Sequence, residues 1–133
     1  MVKIVVNEDC GNSPRKSFLK DLNIAFAEGN ISFVSDHVTE EIVWNIVGDK
    51  VVIGKREFVT ALHEMVKTPA KELHISKIIT HGYDASANGY IVLKNGSHYN
   101  FCDVYEFSGA KGTLIKGITS YVIEQPKSKQ PLN

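Results

Sequence analysis

Residues 93–107 read LKNGSHYNFCDVYEF, an Asn95-Gly96 pair followed by a long run of aromatic and β-branched residues. Asn-Gly accepts positive φ at both centres of a type I′ turn, whose twist matches that of paired strands. The stretch therefore reads as strand 89–94, turn, strand 97–107. Downstream, Ser108-Gly109-Ala110-Lys111-Gly112 turns the chain again into a third strand over 113–124. Upstream, from Glu72, Leu73, Ile75, Lys77 and Ile79 alternate with His74, Ser76, Ile78 and Thr80, and helical periodicity is absent. The second half of the chain is thus antiparallel sheet.

The first half has the opposite rhythm. Ser13 before Pro14 is a helix start, and Phe18, Leu19, Leu22, Ala25 and Phe26 recur at helical spacing until Gly29. Asn30 opens a second, shorter helix carrying Ile31, Val34 and Val38, and Thr39-Glu40-Glu41 leads into the β-rich run IVWNIV. After Gly48 and the VVIG segment, Phe58, Ala61, Leu62, Met65 and Val66 stripe a third helix over 55–67. Gly54 and Glu57 are placed to cap that helix, and Thr68-Pro69 ends it. The predicted organisation is an N-terminal arm or short edge strand (1–12), one α+β domain (13–124) and a frayed polar tail (125–133).

Fifteen basic residues balance fifteen acidic ones among 133, so no electrostatic partner such as nucleic acid or an anionic membrane is implied. The opening VKIVV is too short for a signal-peptide core, and no apolar run nears the roughly 18 residues of a membrane span. The expectation is a cytoplasmic protein with Cys10 and Cys102 as reduced thiols, since the two form no disulfide framework or CxxC pair. His37, His63, His74, His81 and His98 lack metal-ligand spacing, and no phosphate loop or nucleophile elbow is present, so no metal or cofactor is expected.

Two helices, a strand ending in Asn45-Ile46-Val47-Gly48, the GKREF helix start and three long strands with CDVYEF in the second resemble the SnoaL-like, nuclear-transport-factor-two-like superfamily. The resemblance covers about Ser13 to Glu124. It implies a cone-shaped roll, with N-terminal helices packed over a strongly curved antiparallel or mixed sheet around an apolar cavity. It also implies a homodimer formed through the convex sheet face. In ketosteroid isomerase, a catalytic member, a carboxylate base works beside a tyrosine and a protonated carboxylic acid. By resemblance the base position falls on Asn45 and the tyrosine on Leu22, whereas CDVYEF keeps the acid as Asp103. An amide cannot serve as that base, so standard ketosteroid isomerase activity is not expected.

The residues support the same focus. Asp103 shares a strand face with Phe101, Tyr105 and Phe107 by the period of two. Such an acid is either a pocket group with a raised pKa, or sits on a wet face, or pairs with a strand lysine such as Lys116. Asn45, read with Val43 and Val47 on its face, is either a ligand contact or a structural amide; Trp44 then points to the convex side as an interface or core residue. Thr119 and Tyr121 alternate on one face of the last strand, which the family alignment turns inward, so Tyr121 stands as a candidate hydroxyl donor. His63, beside Leu62 on the covering helix, is a candidate acid or base near neutral pH, or an exposed histidine. Two readings remain open. One is a pocket protein binding a small apolar or aromatic molecule, with cofactor-free isomerase, cyclase or hydrolase chemistry if it is an enzyme. Asp103 and His63 would then move protons, and Asn45, Tyr121, Thr119, Tyr105, Phe101, Phe18, Leu22 and Leu62 would line the site. The other is a non-catalytic dimerisation or interaction module with a vestigial cavity.

Overall fold

The computed structural model describes residues 1–126. Helix α1 (Pro14–Ala27) begins where the Ser13 hydroxyl accepts the Lys16 amide at 3.2 Å, and Gly29 leaves it with φ of 75°. Helix α2 (Ile31–Ser35) is capped by the Asn30 side chain, which accepts the Phe33 amide at 3.2 Å. Helix α3 (Lys55–Met65) follows Gly54, and no side-chain cap bond forms there, so the expected capping role of Glu57 is not realised.

Seven strands form one sheet in the order β1-β4-β5-β6-β7-β2-β3. They are β1 (Lys3–Val6), β2 (Val38–Ile46), β3 (Lys50–Ile53), β4 (Ala70–His81), β5 (Asp84–Leu93), β6 (His98–Phe107) and β7 (Ile115–Gln125). The sheet is mixed: β1 runs parallel to β4 and β2 parallel to β7, while the remaining neighbours are antiparallel. The N-terminal arm is thus an edge strand. Beyond it Glu8 accepts the Ile78 amide at 3.0 Å and pairs with Lys16 at 3.2 Å, tying the arm to β4 and α1.

Irregularities in the ladders bend the sheet over the helices. β4 shifts register against β5 between Ala70 and Glu72 and again between Ile75 and Lys77. The second shift resets the alternation. Leu73 and Ile75 are buried before it and Ile78 after it, while Lys77 and Ile79 face outward, against the unbroken alternation expected from sequence. Gly89, opposite Ile75, is required at this bend, because a Cβ there would lie 1.9 Å from the His74 carbonyl oxygen. β5 also starts earlier than the expected 89–94, at Asp84, after a turn in which Gly82 has φ of 59°.

The core lies between the inner sheet face and the three helices, with Leu19, Ile42, Phe58, Leu62, Ile75, Phe107 and Ile115 fully buried. At one end Arg15 donates to the carbonyls of Gly82, Gly109 and Gly112 and stacks 3.9 Å above the Phe107 ring, fastening two turns to α1. Cys10 and Cys102 are free thiols. Gln125 still belongs to β7, and the expected tail beyond Pro126 lies outside the described residues. Among the described residues no helix is long and apolar enough to cross a membrane.

Candidate functional site

Asp103 sits mid-strand on β6, paired with Ala87 of β5 on one side and Ser120 of β7 on the other. Its inner-face neighbours along the strand are Phe101 and Tyr105, as the period of two requires. The Ser120 hydroxyl donates to Asp103 Oδ1 at 2.6 Å, and the Tyr105 hydroxyl donates to Oδ2 at a longer 3.4 Å. Behind each hydroxyl stands a second donor. Trp44 Nε1 donates to Ser120 Oγ at 2.8 Å from β2. Asn23 Nδ2, on α1, donates to the Tyr105 hydroxyl at 3.2 Å and to the Leu19 carbonyl at 2.8 Å. All four supporting side chains are buried.

Burial lifts the Asp103 pKa from 3.8 to about 6, against the pull of the Ser120 and Tyr105 hydrogen bonds, which favour the charged form. Among the described residues no cation offsets the loss of water. Burial also pushes Tyr105 well above the ordinary phenol value, and the negative charge of Asp103 adds to the effect. Near neutral pH the pair is therefore a carboxylate beside a neutral phenol. A carboxylate that titrates about one unit below neutrality is matched to take and return protons there.

The structure brings Asp103, Tyr105 and Phe101 to one face, as the sequence indicated, and separates the other candidates from them. Asn45 and Thr119 pair with each other across β2 and β7 on the outer face of the sheet. Tyr121 follows on that face and is half exposed. Trp44, expected on the convex side, is instead buried on the inner face, packed 5.3 Å from the Phe58 ring. A shift of one residue in β2 and β7 exchanges the faces, and both strands carry apolar side chains on each. The tyrosine hydroxyl bonded to Asp103 is that of Tyr105, and Tyr121, on the other face, does not reach it. His63 is exposed on α3 and does not reach the site. Phe18, Leu22 and Leu62 are buried core residues: Phe18 packs on Phe107 near Arg15, and Leu62 lines a dimple with Phe26 and Val34 too small for a water.

Sequence reasoning missed Asn23 and Ser120. Asn23 was visible as a polar residue beside the apolar stripe of α1, one helical turn from Leu19. Ser120 alternates with Ile118, so the correct face of β7 would have revealed it. Among the described residues no cluster of His, Cys, Asp or Glu could hold a metal ion. The outer face bears a separate groove of about 490 Å³, walled by Val43, Asn45, Val104, Thr119 and the charged Asp84, Glu106 and Lys116.

Among the described residues, three helices over one face of a bent seven-stranded mixed sheet, with the polar site on the inner face, make the NTF2-like cone fold. Solved structures bear this out. An NTF2-like protein of unknown function from Cytophaga hutchinsonii is 26% identical with a TM-score of 0.65, covering 82% of this chain and 99% of its own. A protein described as a SnoaL-like polyketide cyclase from Shewanella denitrificans has a TM-score of 0.71 at 12% identity, covering 84% of this chain and 92% of its own. An LEH-like epoxide hydrolase from M. tuberculosis has a TM-score of 0.67 at 17% identity, covering 80% of each chain. No protein-family model matches the chain, and no curated protein matches its sequence.

Proposed function

We propose that this chain binds a small apolar or aromatic molecule against the inner sheet face and that Asp103 acts on it as a cofactor-free general base. The observation that carries this reading is a carboxyl held by two hydroxyls in an apolar row, with no cation beside it among the described residues, and lifted to about 6. Such a group is costly to keep unless it is used, and perturbed acids of this kind concentrate at functional sites. The cyclase and epoxide hydrolase descriptions of two structural neighbours are compatible with reactions at this position. Carboxyl-detected NMR titration tests the base: a midpoint near 6 supports it, and one near 4 removes it. Native mass spectrometry tests the pocket, where a small molecule retained by the purified protein and lost in Asp103→Asn is the expected result.

The outer face favours a second, compatible role as a dimerisation surface. Val43, Val51, Ile53, Val104, Tyr121 and Ile123 are all exposed there, with Ile53 at 66% and Ile123 at 70%. Contiguous apolar exposure of this kind marks a contact surface. A second copy of the chain suits it, because Glu106 and Lys116, 3.7 Å apart, give one patch both signs of charge, as a self-complementary twofold interface needs.

A further inference from the structure

A count of hydrogens around Asp103 fixes the direction of every bond in the network. An indole nitrogen can only donate, so Ser120 must accept from Trp44 and spend its single proton on Asp103 Oδ1. The Leu19 carbonyl can only accept, so the Asn23 nitrogen faces it, and its second hydrogen goes to the Tyr105 hydroxyl. Tyr105 then spends its own proton on Oδ2. Trp44 and Ser120 supply one hydrogen each, Tyr105 one and Asn23 two, and every one of them is committed. The ionised carboxylate adds none, but each oxygen keeps a lone pair.

We propose that these two one-way relays, Trp44 to Ser120 to Asp103 and Asn23 to Tyr105 to Asp103, make the site selective for ligands that present a proton-bearing group. A hydroxyl, N–H or acidified C–H meets the unused lone pairs of Asp103. A ketone, ether or carboxylate meets only other acceptors. This deepens the reading of Asp103 as a general base and rests on it. Trp44 and Asn23 are positioning residues: they touch no ligand but set which way the Ser120 and Tyr105 hydroxyls point. When the ligand gives up its proton, the proton moves to Asp103 and the electron pair stays on the ligand atom. Among the described residues no charged side chain other than Asp103 enters this network. Ala87 faces Asp103 from β5, Ser120 from β7 and Asn23 bonds Tyr105 from α1, while Phe58 of α3 packs on Trp44. Among the described residues Tyr105 is the one titratable partner of Asp103 there, and Cys102 bears on Tyr105 instead.

The chain has a single tryptophan, so its indole N–H gives one isolated NMR signal that reports on Ser120 directly. In the wild type this signal should titrate with the same midpoint as the Asp103 carboxyl. In Ser120→Ala the carboxyl should still titrate, at a higher pH because a donor to the charged form is gone, while the indole signal stays still. Asp103→Asn should abolish both. A carboxyl that titrates near 6 with a motionless wild-type indole overturns the relay and spares the base. Coupled signals with a midpoint near 4 instead overturn the base reading and leave the relay standing. Selectivity is read above neutral pH with p-cresol and 4-methylanisole, which match in shape but differ in the hydroxyl proton. Shifts around Asp103 with millimolar p-cresol and none with the ether are expected; equal shifts, or none with either, overturn the selectivity.

Discussion

Replacing Asp103 by asparagine should raise the stability of the protein relative to wild type as pH rises from acid to alkaline. The folded state holds the Asp103 proton more tightly than the unfolded chain, with a pKa of about 6 against 3.8. Asp103 therefore favours folding most below the unfolded value, and that advantage disappears as pH rises through about 6. A shift of this size corresponds to about 3 kcal/mol across the window, at roughly 1.4 kcal/mol per pKa unit. Asparagine keeps an acceptor for the Ser120 hydroxyl and removes the ionisation, but it sets an amide N–H against the Tyr105 hydroxyl proton, a cost of about 1–3 kcal/mol that is the same at every pH; leucine would strand both hydroxyl protons. The carboxyls of Glu8, Glu64 and Glu72 are lowered by their partners and act in the opposite sense, losing stability as pH falls. They are common to both proteins and cancel in the difference. Urea unfolding of wild type and Asp103→Asn at about pH 4 and pH 8 should show the gap widening by about 2–2.5 kcal/mol in favour of the variant, since pH 4 already lies just above the unfolded pKa, which corresponds to roughly 10 °C in Tm for a chain of this size. Parallel stability profiles would refute the assignment of a buried, uncompensated carboxylate.

Three further outcomes are expected. Sedimentation at micromolar concentration should give about twice the 14.8 kDa chain mass, and Ile53→Glu with Tyr121→Arg should return the monomer; a monomeric wild type removes the outer-face interface. Gly89→Ala should cost more than about 3 kcal/mol or prevent folding, because its Cβ meets the His74 backbone oxygen, which cannot move without undoing the β4 bend; a normal thermal melt contradicts that geometry. Conversion of a 5-ene to a 4-ene ketosteroid should stay at background, since Asn45 carries no carboxylate and lies on the outer face; turnover well above it would show Asp103 acting on steroids directly.

Where local chemistry was decisive, the sequence was readable. Ser13-Pro14, Asn30, Gly54 and Thr68-Pro69 bound the helices, and Asn95-Gly96 marks the β5–β6 hairpin; the turn is a three-residue loop, Lys94 to Gly96, in which the Gly96 amide bonds the Leu93 carbonyl and Gly96 has φ of 91°, not the expected two-residue type I′ turn. The apolar row Phe101, Tyr105 and Phe107 identified the inner face of β6, and with it Asp103. Orientation failed where both faces of a strand are apolar. In β2, Ile42, Trp44 and Ile46 go inward, yet Val43 and Val47 outward are no more polar; in β7, Ile118 and Ser120 compete with Tyr121 and Ile123. Alternation alone cannot rank such faces, and the alignment to an isomerase base pulled Asn45 to the wrong one. The bulges in β4 leave no local mark beyond Gly89. The hydrogen-bond network joins residues 76 and 82 positions apart, beyond any motif.

The strand order has a consequence for how the chain is made. β7, last in sequence, lies between β6 and β2, so it is the seam that joins the β1-β4-β5-β6 block to the β2-β3 hairpin. Until it arrives, β2 has β3 as its only ladder partner, β6 has β5, and each presents an unpaired edge. Edges of that kind invite pairing with other chains, and closing them waits on contacts of long sequence separation, which form slowly. A chain cut short before Ile115 would therefore carry two sheet segments that no ladder joins, each with an adhesive edge, and it is β7 that closes both.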